Sequence, residues 1–195
     1  MVDKPKKVDR RIARTRRSLK SALIELAAEK SYEQISIRDL THRADIGYAT
    51  FFRHFRSKDE LATYCMRAVI SEFFREIETA STMHEECYAV FASLKEHQDV
   101  CLFGLSLPRD HPALTPVFDD ILKWVATTYA ARDEVSIPFD VAANHLINSA
   151  LEMTRWWLTD GQDYSFEQMS VMLSDLVIKV TESVALEHRT KSPRG

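Results

Sequence analysis

Arg10, Arg11, Arg14, Arg16, Arg17 and Lys20 crowd one short stretch near the start of the chain. Cations at this density neutralise a polyanion, releasing its counterions and making the association salt-dependent. The imbalance is regional. Residues 1–60 hold 15 Lys and Arg against nine Asp and Glu, whereas residues 61–195 hold 11 against 20. A net charge of −3 therefore divides into +6 and −9, a basic head joined to an acidic body. Charge alone leaves a solvated basic tail without a partner as the alternative.

Other chemistry finds little support. Cys65, Cys87 or Cys101 can be set on paper beside one of seven histidines, but no local signature of a nucleophile and its base accompanies them. Three widely spaced cysteines without a Cys-x-x-Cys pair argue against a disulfide framework or zinc finger, leaving core thiols. His84, Glu85, Glu86 and Cys87 offer N, O and S ligands in a row, yet adjacent helical residues do not face one point. No glycine-rich phosphate loop is present. The expectation is a protein without catalysis, metal or cofactor.

The elements that must position the cations read as helices. Four glycines and six prolines are too few for the many tight turns of a sandwich or barrel. No apolar run is long enough to span a membrane, and the basic start lacks the apolar run of a signal peptide, which points to the cytoplasm. Residues 1–8 read as polar and frayed. From about Asp9, Leu19, Leu23, Leu26 and Ala27 mark one face of a helix that closes near Lys30. Ser36 suits an N-cap, with Asp39 three residues on, for a short helix bearing Ile37, Leu40 and Ala44. Asp45-Ile46-Gly47 breaks it, and a second short helix runs from Tyr48 to about His54. Ser57 with Glu60 forms a capping-box pattern opening a helix over 58–79. Further helices are expected over 82–96, 98–105 (interrupted by Gly104 and Pro108), from Pro112 and Pro116 to about Arg132, 138–160 and 165–187. No credible strand is visible, so the fold class is all-α with about nine helices.

Two short helices joined by a three-residue corner make a helix-turn-helix, whose corner takes a left-handed residue. Asp45 and Gly47 suit it. The second helix then offers its N-terminal side chains to base edges in a major groove. The run from Ser36 to Leu61, SIRDLTHRADIGYATFFRHFRSKDEL, resembles the TetR/AcrR family signature. That signature has a short helix, a tight corner, a recognition helix ending in Tyr-x-x-Phe, and a Lys opening the next helix. Arg14-Thr15-Arg16 upstream also matches, so the resemblance covers about residues 10–70 closely and the rest loosely. It implies a DNA-binding domain of three helices over 1–57 and a ligand-binding and dimerisation domain over 58–195. It implies DNA contacts from Arg14, Arg16, Arg17, Ser36, Ile37, Gly47, Tyr48, Ala49, Thr50, Phe52, His54 and Lys58. Three positions depart from the pattern: Phe52 replaces the usual Tyr, Gly47 the usual Ser or Asn, and Thr41 the common Ala.

The body is rich in aromatic and thioether side chains. The resemblance implies a pocket for a small, largely apolar effector there, with Phe91, Cys101, Phe103, Phe118, Leu122, Trp124, Leu146, Met153 and Trp156 as candidate walls. Arg155 is a candidate for the effector's polar end. At adjacent helical positions the rings of Trp156 and Trp157 point about 100° apart, so one can enter the body while the other faces outward. The last two helices, which pair subunits in this family, give Trp157, Leu173, Leu176, Val177, Val180 and Val184 as candidates for a homodimer seam. The expected function is a repressor, released from a palindromic operator when its effector binds. Two alternatives stay open: a dimeric DNA-binding protein without a ligand, and a helical protein–protein adaptor with a basic arm.

Overall fold

The structure, a computed structural model, describes residues 7–133 and 135–189, with side chains from residue 10 onward. Helix α1 spans Lys7–Glu29 and buries Leu19, Ala22, Leu23 and Leu26 on one face. It begins earlier than expected, and the reading of a frayed start otherwise lies outside the described residues. A 3-10 turn, Tyr32–Gln34, leads to α2 (Ile37–Arg43) and α3 (Tyr48–Phe51). Helix α4 (Lys58–Thr79) starts where its cap predicts. The Ser57 hydroxyl accepts from the Glu60 amide, and the Glu60 carboxylate accepts from Arg56 N–H at 2.5 Å, one residue upstream of a capping box.

The body continues with α5 (Met83–Glu96), α6 (Gln98–Ser106), α7 (Thr115–Thr128) and α8 (Phe139–Thr159). Helix α9 comprises Phe166–Leu173, a π-helical turn at Ser174–Ile178 and a last segment, Lys179–Val184. Among the described residues this makes nine helices, an all-α fold. Gly104 does not interrupt α6. It stands where α6 meets α4, and a Cβ there would lie 3.1 Å from Met66 Sδ.

Two short strands correct the strand-free expectation. Strand β1 (Tyr129–Ala131) ends α7 early and pairs antiparallel with β2 (Leu186–His188), in the register Tyr129 to His188 and Ala131 to Leu186. Three residues a side are too few for a period-two signal. The pairing is secured by Arg132, which donates from its amide to Ala185 O (3.0 Å) and from its guanidinium to Glu182 O (3.1 Å).

One contiguous apolar cluster runs from Leu19 of α1 through α4 to Leu186. Helix α4 joins the two ends, packing on α1 at one side and on α5 and α7 at the other. The paired guanidinium of Arg67 on α4 grips both carboxylate oxygens of Asp120 on α7, at 2.6 and 3.1 Å.

Candidate nucleic-acid interface and interior cavity

The helix-turn-helix is held by its own caps. Ser36 Oγ accepts from Asp39 N–H (3.1 Å), and Asp39 Oδ2 accepts from Ser36 N–H (2.9 Å), a complete capping box. Lys30, just past the end of α1, reaches the same Oδ2 at 2.8 Å and, with Ser36, holds that carboxyl well below the usual carboxylate range. Arg43 at the far end of α2 bonds Glu25 and Glu29 of α1. Exposed pairs of this kind add little energy but fix the angle between the helices.

Among the described residues Asp45 alone is a non-glycine with positive φ, at 51°. Its amide donates to His42 O (3.2 Å) and the next amide, Ile46, to Thr41 O (3.0 Å). These two bonds are the Schellman arrangement, with Asp in the left-handed place that Gly usually fills. Gly47, by contrast, is extended (φ −67°) and caps α3 without a side chain. A Cβ there would meet only Thr50 Oγ1 at 3.5 Å, so the backbone has no need of glycine. Of the two corner residues named from sequence, Asp45 makes the turn. Thr41 is buried, its hydroxyl donating to Arg38 O at 3.1 Å, so the replacement of the common Ala leaves no unsatisfied group.

Helix α3 is shorter than expected. It closes at Phe51, and tight turns carry the chain to Phe55 through His54 N–H to Phe51 O and Phe55 N–H to the same carbonyl. Phe51 and Phe55 are buried, which aims the opposite face outward. Tyr48 and Phe52 are about half exposed, at 51% and 47%, and meet edge to face with centroids 5.3 Å apart. Ala49 is exposed and Thr50 half-buried beside them. Tyr48 opens the one-turn helix and Phe52 follows its end, so two large exposed aromatics flank it, an unusual surface.

The basic residues divide. Arg14 and Arg17 are exposed on α1. Arg16 is half-buried, its guanidinium 5.7 Å from the Phe55 ring centroid and 5.4 Å from that of Tyr64, so it braces α1 on α4 as well as offering charge. His54 is half-buried, and burial, then Arg16 and Arg53, press its imidazole below its ordinary pKa. Ser36 is exposed, whereas Ile37 packs against the core. Lys58 requires a correction. Its ammonium donates to Tyr32 O (2.5 Å) and Ile35 O (2.9 Å) and lies 4.1 Å from the Tyr32 ring centroid. It buckles the connector before α2 to the start of α4, leaving little for a phosphate.

Sequence reasoning missed Tyr32. Its hydroxyl donates to Asp59 Oδ1 at 2.7 Å, and its ring meets Phe103 of α6 and His111 of the α6–α7 loop, at 5.6 and 5.1 Å. The connector between α1 and α2 thus touches the body directly. An aromatic followed by Glu-Gln in a polar linker was the available signal.

The body holds an apolar cavity of two lobes, about 100 Å³ and about 190 Å³. Ile70, Phe73, Leu94, Ile121, Leu151 and Thr154 line both, so the lobes adjoin. Of the residues named from sequence, Cys101 and Phe118 line the smaller lobe, and Trp124 and Leu146 the larger. The others stand elsewhere. Phe91 is fully buried against Trp157 (5.2 Å), Phe103 turns toward Tyr32, Leu122 is exposed on α7, and Met153 packs outside both lobes. Trp156 is 40% exposed and leans on Tyr164 at 5.5 Å. Arg155 donates to Leu105 O at 2.5 Å, tying α8 to α6 instead of facing the cavity.

The cysteine thiols are pushed up to about 12 by burial, so they stay protonated near neutrality. His84 faces Glu167 of α9 at 3.1 Å while Cys87 turns inward, so the N, O and S groups of that run diverge.

On α9 the candidate seam residues also divide. Leu173 and Val177 are buried within the chain, as is Trp157 of α8, whose indole N–H donates to Tyr164 O at 3.1 Å. Leu176, Val180 and Val184 are exposed, at 66%, 49% and 49%, beside Val171.

Residues 20–65, from mid-α1 to early α4, match the family model for bacterial regulatory proteins of the tetR family. The head of the chain is thus similar to bacterial regulatory proteins of the tetR family. A TetR-type head on a helical body also describes its similarities. It is 33% identical over 111 residues to an uncharacterized HTH-type transcriptional regulator, YxbF, of Bacillus subtilis (strain 168). That stretch is 56% of this chain and 28% of the relative, so the chain spans under a third of the protein it matches. Among solved structures it is similar to a TetR-family transcriptional regulator of Syntrophomonas wolfei, with a TM-score of 0.66, 14% identity and coverage of 86% of this chain and 94% of that one. It is also similar to SmeT, the repressor of the Stenotrophomonas maltophilia multidrug efflux pump SmeDEF (TM-score 0.60, 16% identity, 93% and 96% coverage). These likenesses show that most of the chain shares the fold of those structures. Among the described residues no helix is long and apolar enough to cross a membrane.

Proposed function

We propose that this chain is a cytoplasmic, homodimeric DNA-binding repressor of the TetR type that an apolar effector releases from a palindromic operator. The observation that carries DNA binding is the outward face of α3. Tyr48, Ala49 and half-buried Thr50 project from a capped one-turn helix and Phe52 from just beyond it, beside a basic α1 presenting Arg14 and Arg17. In this reading residues 1–57 form the DNA-binding domain and 58–195 the effector and dimerisation domain. Tyr48, Ala49 and Thr50 meet base edges, the Thr50 methyl suiting a thymine methyl. Arg14, Arg17, Ser36 and His54 meet phosphates, backed by Arg16 and by Gly47 at the α3 N-terminus.

Two such heads need a two-fold. The exposed Leu176, Val180 and Val184 of α9 support a seam there, since packing them against a second copy removes apolar surface from water. The two-lobed cavity supports an effector, and the repressor function of SmeT supports the sign of regulation. An effector acts only if it binds the DNA-incompetent spacing of the heads better than the competent one. The ligand-free alternative would suit a solid body, and the cavity counts against it.

The test is fluorescence anisotropy with the full chain and labelled duplexes selected from a random pool. Selection is expected to enrich a palindrome, bound with strong salt dependence. The double variant Tyr48→Ala with Thr50→Ala is expected to lose sequence preference while keeping weak, salt-sensitive binding. Undiminished selective binding by that variant would refute the assignment of α3.

A further inference from the structure

From the corner through α3 the chain reads Ile46-Gly47-Tyr48-Ala49-Thr50-Phe51-Phe52. Phe51 is buried, leaving Tyr48, Ala49, Thr50 and Phe52 on the outer face. None of these residues is Arg, Lys, Asn, Gln, Asp or Glu. Those six types tell base pairs apart by hydrogen bonds: Arg and Lys suit guanine, Asn and Gln adenine, Glu and Asp cytosine. What remains is two hydroxyls and an apolar surface. A hydroxyl both donates and accepts, so Tyr48 and Thr50 can satisfy either kind of base edge and distinguish neither.

The apolar surface has a fixed shape. Phe52 is 47% exposed, and the rings of Tyr48 and Phe51 meet it edge to face, with centroids 5.3 and 5.4 Å away. Gly47 and Ala49 are exposed and add almost no bulk, so the helix backbone can approach a groove floor closely. Exposed cations stand on the elements either side: Arg14 and Arg17 on α1, Arg38 on α2, and Arg53 and Arg56 after α3. An apolar centre with a cationic surround complements a groove that has phosphates along its rims and methyl groups on its floor. The major groove of DNA carries such a methyl where a pyrimidine is substituted at C5, as thymine is.

We propose, resting on the assignment of α3 above, that this helix reads C5-methyl groups. The operator half-site is centred on thymines, and 5-methylcytosine substitutes for thymine there. Alanine, the threonine methyl and phenylalanine are the side-chain groups that make apolar contact with this methyl, and Ala49, Thr50 and Phe52 supply all three. Any guanine is left to exposed Arg38 and Arg53, which lie outside α3. Burying one methyl on the patch changes affinity about fourfold, the equivalent of about 0.8 kcal/mol. A palindrome presents each position twice, so a symmetric change is squared to about fifteenfold.

The first test uses the unaltered chain, so the folding of a variant does not enter it. Deoxyuridine replaces thymidine at each thymine of the selected palindrome in turn, in both half-sites. The swap deletes the methyl and leaves every hydrogen-bonding group. Binding read by fluorescence anisotropy is expected to fall about fifteenfold at the central thymines. At those positions 5-methylcytosine paired with guanine is expected to outbind cytosine paired with guanine by a similar factor.

Thr50→Ser, which removes only the side-chain methyl, and Phe52→Ala then locate the contact. In at least one of them the deoxyuridine penalty should shrink to about twofold or less, because the partner of the deleted methyl is already gone. A penalty unchanged in both variants would overturn the patch as the reader. Unchanged affinity at every deoxyuridine position, or a selected half-site without thymine at its centre, would overturn the methyl reading while leaving α3 as the DNA-binding helix. If selection enriches no sequence at all, the assignment of α3 itself falls.

Discussion

Lys58 is buckled to Tyr32: its ammonium donates to the Tyr32 carbonyl at 2.5 Å and lies 4.1 Å above the same residue's ring. Two residues 26 positions apart thereby fix where the chain turns into α2. A lysine in this role and a lysine on a phosphate predict different phenotypes.

Lys58→Met keeps the stem and removes the ammonium. Hydrogen bonds from a charged donor contribute about 1.5–3 kcal/mol each, and partly solvated carbonyls recover some of that loss, so destabilisation of about 2 kcal/mol is expected by denaturant titration. The slope of log affinity for DNA against log salt should not change. A phosphate ligand would lower that slope by about 1.

His54 gives a pH dependence with two opposed signs. Its imidazole is pressed below 6.5 in the folded chain, first by burial and then by Arg16 and Arg53. A depressed histidine stabilises the fold above its unfolded pKa, and that contribution is lost as pH falls through the folded value. A phosphate beside it favours the imidazolium, so DNA binding takes up a proton and tightens as pH falls below 6.5. Affinity measured from pH 8 to pH 5.5 is expected to rise, and His54→Gln should flatten the profile.

Adjacent tryptophans should behave as opposites. Trp157 is 3% exposed, between Phe91 and Phe166, whereas Trp156 is 40% exposed. Trp157→Ala is expected to cost about 3–5 kcal/mol, enough to unfold a marginal body, and Trp156→Ala under about 1.5. Thermal melts of the two variants check the contrast.

Leu176 is the most exposed large apolar residue of α9, at 66%. Leu176→Glu leaves the monomer core untouched and places like charges across a two-fold seam. Sedimentation should show dissociation to monomers with unchanged helical content. A dimer of undiminished strength would locate the seam elsewhere.

Much of the head was legible in the sequence because its determinants are local. Ser36 with Asp39 and Ser57 with Glu60 announce helix starts at fixed spacing, and Asp45 marks the left-handed corner. Lys58 misled because its partners are carbonyls, which every residue carries and no pattern advertises. In the body, helical periodicity identifies an inward face but does not tell a wall of a void from the centre of a packed cluster. Phe91 and Trp124 look alike in a helix, and only the crossing of α5, α7 and α8 separates them. The same limit applied to α9. Its π turn shifts the helical phase at Ser174–Ile178, leaving Val177 inside and Leu176 outside. The strands were illegible because they exist through their mutual pairing.

That three-residue ribbon has a mechanical meaning. It staples the end of α7, which walls the cavity, to the end of α9, which carries the exposed Val180 and Val184. Arg189 adds a stitch on one side, to Thr128 O and Tyr129 O, and Arg132 one on the other. Helix α9 therefore cannot slide along the body without dragging α7. Swelling or tightening of the interior reaches the outer face as displacement, passed along a strut rather than dissipated in a loose tail.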